Sequence, residues 1–145
     1  NKAYRVALEE YEPLYPLLKH KPGFLFEAAQ CLSKTRQFEQ ANEYLRRAVL
    51  LSADPMLYYM MAKNEQSLGQ YRQAEKHLLH AIDILPERIY PYYLLMNLYT
   101  EPSYFQPAKL KMAIDSVLTK KPKVESSAIK EMKEKARSML NNTSI

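Results

Sequence analysis

Glycine is nearly absent from this chain, with 2 in 145 residues. That scarcity excludes glycine-rich phosphate-cradling loops, which need backbone amides to approach a ligand with no Cβ in the way. Cysteine occurs once, so no intramolecular disulfide framework can form. Flanked by Ala28, Ala29 and Leu32, Cys31 reads as a buried, inert thiol. Long apolar runs are also missing: Ser52-Ala53-Asp54-Pro55 interrupts the longest, and no stretch approaches the roughly 18 residues that mark a membrane span. The start, Asn1-Lys2-Ala3-Tyr4, has no charged region followed by an apolar segment, so no signal peptide is expected and the chain reads as soluble.

Chemistry-bearing constellations are equally scarce. No Ser/His/Asp set, paired inward carboxylates or HExxH motif can be assembled. His77, His80 and Asp83 recur three apart on one helix, but without a second ligand cluster they read as residues of the outer, solvated face. His20 stands alone in a loop and should be exposed. The expectation is therefore no catalytic residue, no metal, no cofactor and no enzyme.

What is present is helical. Leu, Ala, Met, Lys and Glu dominate while Val and Thr are few, which argues for an all-α fold. The stretch Pro55 to Arg88 holds two amphipathic patterns joined by Leu68-Gly69-Gln70-Tyr71 and closed by Pro86. Tyr58, Met61, Ala62 and Glu65 lie at the spacing W-x2-L-G-x2-Y, Ala74 and Leu78 at A-x3-F, with Ala81 following. This pattern resembles the tetratricopeptide (TPR) repeat. Small residues at Ala62, Ala74 and Ala81 would let two antiparallel helices approach, and Tyr58, Met61, Tyr71 and Leu78 would fill the space between them. Tyr58 for Trp and Ala62 for Gly keep the size class of the pattern; Glu65 in place of an aromatic does not.

A lone helical hairpin cannot bury its apolar face, so genuine repeats come in register. Thirty-three residues back, Tyr71, Ala74, Leu78 and Ala81 become Phe38, Ala41, Leu45 and Ala48. A further 34 back stand Tyr4, Ala7 and Tyr11, and 34 forward of Tyr58, Met61 and Ala62 stand Tyr92, Leu95 and Met96. The fold class expected is an all-α, TPR-like right-handed superhelical array of antiparallel helix hairpins with a C-terminal capping helix, in a single domain over 1–145. Its parts are the second helix of a truncated repeat (1–21), repeats at 22–54 and 55–88, a divergent repeat at 89–120 and a capping helix at 126–140.

Within these units, Asn1-Lys2 falls at an inter-helix turn, and Pro13 and Pro16 should end the first regular helix near Tyr11, with irregular turns through Leu17 and Leu18. Hairpin helices are expected at Phe24 to Lys34 and Phe38 to Leu51, then Met56 to Leu68 and Tyr71 to Leu85. No glycine marks the turn Thr35-Arg36-Gln37. The third hairpin opens at Ile89-Tyr90-Pro91 and runs to about Thr100. It crosses a long connection, Glu101 to Pro107, and continues through Leu110, Met112, Ala113, Val117 and Leu118. Lys120 to Glu125 forms a basic linker. Ser126 or Ser127 then caps a helix with Ile129, Met132, Ala136 and Met139 on its apolar stripe, and Asn141 to Ile145 should fray. Asn141-Asn142-Thr143 is a glycosylation sequon, relevant only if the source glycosylates it.

Three stretches carry a narrower resemblance: Leu14-Tyr15-Pro16-Leu17-Leu18-Lys19-His20, Leu85-Pro86-Glu87-Arg88 with Ile89 to Tyr99, and Lys123-Val124-Glu125-Ser126-Ser127-Ala128-Ile129. Together they resemble the soluble C-terminal tail of bacterial membrane proteins of the O-antigen ligase or polymerase type. The resemblance implies a membrane-embedded parent that joins or polymerises surface polysaccharide, and hence a domain tethered at the inner membrane of the cell envelope. It brings no reactive residue onto this chain, because the family's reactive residues lie in the membrane portion.

Candidate binding residues follow from the repeat. The first helix of each hairpin should line a concave face, which puts Phe26 and Gln30, Tyr59 and Lys63, and Tyr93 and Asn97 along one surface. Aromatics beside amides and a lysine suit an extended peptide, a helix or a sugar ring; the same rings also suit packing against adjacent helices. The Lys/Asn/Arg set that resembles the carboxylate clamp of chaperone-binding TPR proteins is absent.

Charge adds one more surface. The net charge is +5, yet residues 1 to 108 balance 12 bases against 12 acids, and the excess lies in 109 to 137 with 9 bases and 4 acids. Lys120, Lys121 and Lys123 are the candidates for contact with an anionic membrane surface or, less favoured, nucleic acid. Interleaved Glu residues, as in Glu131 and Lys135, suit a solvated helix instead. The leading functional expectation is a non-catalytic protein-protein interaction module, tethered to a polysaccharide ligase or polymerase. Two others stay open: a free-standing, cytoplasmic TPR adaptor for peptide segments, and a basic binder of anionic lipid or nucleic acid.

Overall fold

A computed structural model describes residues 2–142, and among these every regular element is helical. The chain forms two compact units, Asn1–His77 and Leu78–Ile145.

In the first unit, α1 spans Lys2–Tyr11 and buries Leu8. Pro13 breaks it into a single 3-10 turn, Glu12–Leu14, and a one-turn helix α2, Tyr15–Leu18, follows. The two prolines act as expected, removing helical donors and clashing with the turn before. Helix α3, Pro22–Lys34, starts with proline where its missing N–H costs nothing. Leu25, Ala28, Ala29 and Leu32 form its buried stripe at helical spacing. Its partner α4, Phe38–Ala48, buries Ala41, Leu45 and Ala48 completely. Each buried leucine of this core contributes roughly 1.5–3 kcal/mol. The alanines allow the close helix approach that the repeat pattern demands.

Helix α4 ends three residues before the expected Leu51. Leu50 and Leu51 turn away, their backbone amides donating to the carbonyls of Arg47 and Ala48, because Ser52, Asp54 and Pro55 must open the next hairpin. Asp54 caps that helix, α5 (Pro55–Ser67), by accepting from the Met56 amide at 3.0 Å. Helix α6, Tyr71–Ile84, completes the hairpin and contains the division between the units. Ala74, Leu78 and Ala81 are all buried.

The two hairpin turns share one geometry. Arg36 (φ 64) and Gly69 (φ 76) are both left-handed. Behind them the Gln37 and Gln70 amides donate at 2.8 Å to the carbonyls of Leu32 and Glu65. This closes each first helix with the same Schellman-type wrap.

In the second unit, α7 spans Tyr90–Leu98 and α8 Pro107–Thr119, joined through a 3-10 turn at Pro102–Tyr104. The buried stripe of α8 is Leu110, Ala113, Ile114 and Val117. Met112, expected on that face, is 69% exposed; at helical phase it projects beside the stripe, and Ile114 takes the inward position. Helix α9, Ser127–Asn142, packs on α7 and α8, with Ala136 fully buried. Ser126 caps it, accepting from the Ile129 amide at 3.2 Å. Asn141 and Asn142 belong to its last turn. The expectations placed on Asn1, on residues 143–145 and on the sequon threonine Thr143 lie outside the described residues. Among the described residues no helix is long and apolar enough to cross a membrane.

Candidate partner-binding faces

The first-helix face of the first unit rests on a buried polar chain. Ser33 of α3 donates to Asn64 Oδ1 of α5 at 2.8 Å, and Asn64 Nδ2 donates to Asn42 Oδ1 of α4 at 2.8 Å. Asn42 Nδ2 in turn donates to the Met61 carbonyl at 3.3 Å. Both asparagines are 2% exposed. Buried amides are costly unless bonded, so these contacts favour the one register of α3, α4 and α5 in which each amide meets its neighbour.

A second polar anchor sits in the same unit. Glu65 stands where the repeat pattern calls for an aromatic and is almost fully buried, with His77 Nδ1 2.7 Å from its Oε1. The His77 ring also lies 5.9 Å from that of Tyr58. His77 is therefore not a residue of a solvated outer face, as the sequence led us to expect; it is half-buried and engaged with α5. No group of three or more potential metal ligands gathers among the described residues. Exposed His20 is where it was expected.

On that framework the first-unit candidates divide. Gln30 and Lys63 are exposed on the neighbouring helices α3 and α5. Phe26 is half-buried against the core cluster. Tyr59, at 6% exposed, is a core residue here rather than a ring open to a ligand.

The second unit treats its candidates differently. Lys135 of α9 reaches across α7 to place Nζ over the Tyr93 ring, 5.5 Å from its centroid. Lys120 lies over Tyr92 at 4.9 Å, and Lys109 over Tyr99 at 5.9 Å. Such cation-ring contacts contribute about 0.5–1 kcal/mol at partly exposed sites. Tyr93 is thus covered by the protein's own ammonium group, and Lys135 is more than a member of a solvated Glu/Lys face. Asn97 is half-buried, and its side-chain oxygen has no hydrogen-bond donor among the described residues.

The basic candidates separate as well. Lys121 and Lys123 are exposed, whereas Lys120 is half-buried against Tyr92. Lys133 was not singled out from the sequence. Its ammonium donates to the carbonyls of Val117 (2.8 Å), Lys120 (2.9 Å) and Leu118 (3.2 Å), closing the C-terminus of α8. The signal for it was its place in the last helix, opposite the end of the preceding one. Cys31 is free and buried, and burial pushes its thiol pKa up, with Glu27 adding to the rise.

A family model described as the tetratricopeptide repeat matches residues 22–55 and 57–87. A search of curated proteins finds no match in sequence. Among solved structures, a crystal structure of MamA is 17% identical at a TM-score of 0.74, the likeness covering 95% of this chain and 79% of that one. A MamA RS-1 double mutant is 18% identical at 0.69, over 94% and 69%. The MamA 41-end chain from Desulfovibrio magneticus RS-1 is 17% identical at 0.69, over 92% and 68%. At these identities the likeness speaks for the fold alone. The chain carries two matched tetratricopeptide repeats within an all-helical, TPR-like fold.

Proposed function

We propose that this chain is a non-catalytic protein-binding module that takes an extended peptide or a helix of a partner against its first helices. The observation that carries the reading is the exposed pair Gln30 and Lys63 on adjacent helices α3 and α5, beside half-buried Phe26. The polar chain beneath, from Ser33 through Asn64 to Asn42, holds the two helices in place before a partner arrives, which lowers the ordering cost of binding. An amide and an ammonium group on a firm surface suit the carbonyls and carboxylates of a polypeptide. The combined variant Gln30→Ala, Lys63→Glu should lose partner capture by tenfold or more, on the order of 1.4 kcal/mol, while keeping its helicity and melting temperature. Capture equal to wild type would contradict the reading.

The finer reading makes this module the soluble tail of a membrane polysaccharide ligase or polymerase. It rests on the three stretches from Leu14, Leu85 and Lys123 alone; the repeat match and the MamA structures support the repeat and are silent on such a parent. Reading the frame upstream of Asn1 tests it: several apolar spans of about 20 residues there would support tethering. Their absence would leave the free-standing adaptor.

A further inference from the structure

We infer that the first unit carries a second docking edge, built from the α2 turn and the end of α4, that lies against an anionic membrane surface. The edge joins two segments that are distant in sequence. Arg47 Nε donates to the Lys19 carbonyl at 2.7 Å, and the rings of Tyr15 and Tyr44 meet with centroids 5.2 Å apart. These contacts bring the segments 14–21 and 46–52 side by side. At that junction large apolar side chains stand in solvent: Leu50 is 83% exposed, Leu17 68% and Leu51 46%. Solitary exposed leucines need no explanation, but here three stand on two segments that the Arg47–Lys19 bond holds together.

The charge around the patch selects its occupant. The two segments hold Lys19, Lys21, Arg46 and Arg47 and no acid. The nearest carboxylates along the chain are Glu12, Glu43 and Asp54; Glu12 and Glu43 lie close enough to Tyr44 to add to the rise in its pKa that burial causes. They reduce the edge's positive excess without cancelling it. Exposed leucines that share two short segments with exposed long-stemmed cations match an interfacial membrane site. The apolar groups enter the headgroup boundary while Lys and Arg keep their charges at anionic lipid. A protein groove would also receive the leucines, but it would not call for a net positive rim. This edge is independent of the peptide-binding reading, and it uses neither Lys121 nor Lys123.

The test is flotation of the whole chain with neutral phosphatidylcholine vesicles and with vesicles containing about one third phosphatidylglycerol, over a salt series. Binding to the anionic vesicles should exceed binding to the neutral ones and weaken as salt rises. It should fall about tenfold in Leu50→Ser, Leu51→Ser and similarly in Lys19→Glu, Arg46→Glu. All four positions are exposed, so melting temperatures should hold within a few degrees of wild type. The variant Lys121→Glu, Lys123→Glu should bind like wild type. No binding at low salt would overturn the inference. So would unchanged binding by the leucine variant, dependence on Lys121 and Lys123 alone, or leucine-dependent dimerisation with no vesicle binding.

Discussion

Arg36 and Gly69 occupy the same left-handed backbone position one repeat apart, at φ 64 and 76. The amides and carbonyls around them pair identically. One site uses the residue suited to that conformation, and the other uses a residue that pays a steric penalty there. The Arg36 guanidinium lies over the Phe38 ring, 5.4 Å from its centroid, which offsets part of that penalty.

Gly69→Ala should therefore destabilise the fold by about 1 kcal/mol. A Cβ at this position meets nothing within 4 Å, so the loss comes from the backbone alone and not from a clash. Arg36→Gly should be close to neutral, its gain in backbone freedom offset by the lost ring contact. Urea unfolding of the two variants checks both; equal losses would show that the turns are not equivalent.

The pairing of Glu65 with His77 makes a second prediction. His77→Ala strips the partner from a buried carboxylate and should cost about 2 kcal/mol. Adding Glu65→Met to that variant should recover much of the loss, because an apolar group of similar length needs no partner. A double-mutant cycle in thermal unfolding reads the coupling directly. Additive losses would mean that the contact contributes nothing.

Lys133 closes the end of α8 through three carbonyls. Lys133→Met keeps the aliphatic stem and removes the donors, so it should cost about 1–2 kcal/mol. Hydrogen exchange should quicken at the end of α8 and in residues 120–126 before it changes elsewhere in the unit. Uniform acceleration would assign Lys133 to general packing instead.

Burial raises the thiol pKa of Cys31, so the native chain should resist alkylation at neutral pH while the urea-unfolded chain reacts at once. The linkage has a definite sign. A raised native pKa means that the native state keeps its proton when the unfolded state has lost it. Stability from this group is thus full below the unfolded pKa and declines as pH rises from there toward the native pKa. Cys31→Ala should remove that alkaline decline. A native thiol as reactive as the unfolded one would contradict the burial.

Much of this fold is legible in the residues because it depends on local rules. Pro13 and Pro16 end α1 at Tyr11, and the small residues Ala41 and Ala74 are buried one repeat apart. Asp54-Pro55 opens α5 and Ser126 opens α9. What escapes depends on partners far along the chain. Helical phase puts Tyr59 beside the leading apolar position, but nothing local says that its ring is covered. Lys135 and Lys133 belong to one charged-looking helix, and only tertiary packing sets one over Tyr93 and the other on the end of α8. Val49, Leu50 and Leu51 extend the apolar composition of α4, so the sequence overshoots a helix whose end is set by the turn that follows.

Hydrogen exchange of the chain with a bound partner polypeptide tests the central claim most directly. If the first helices form the docking face, new protection will appear in α3 and α5, at residues 22–34 and 55–67, and will vanish in the Gln30→Ala, Lys63→Glu variant. Protection confined to α4, α6 or α9, with α3 and α5 unchanged, would contradict it.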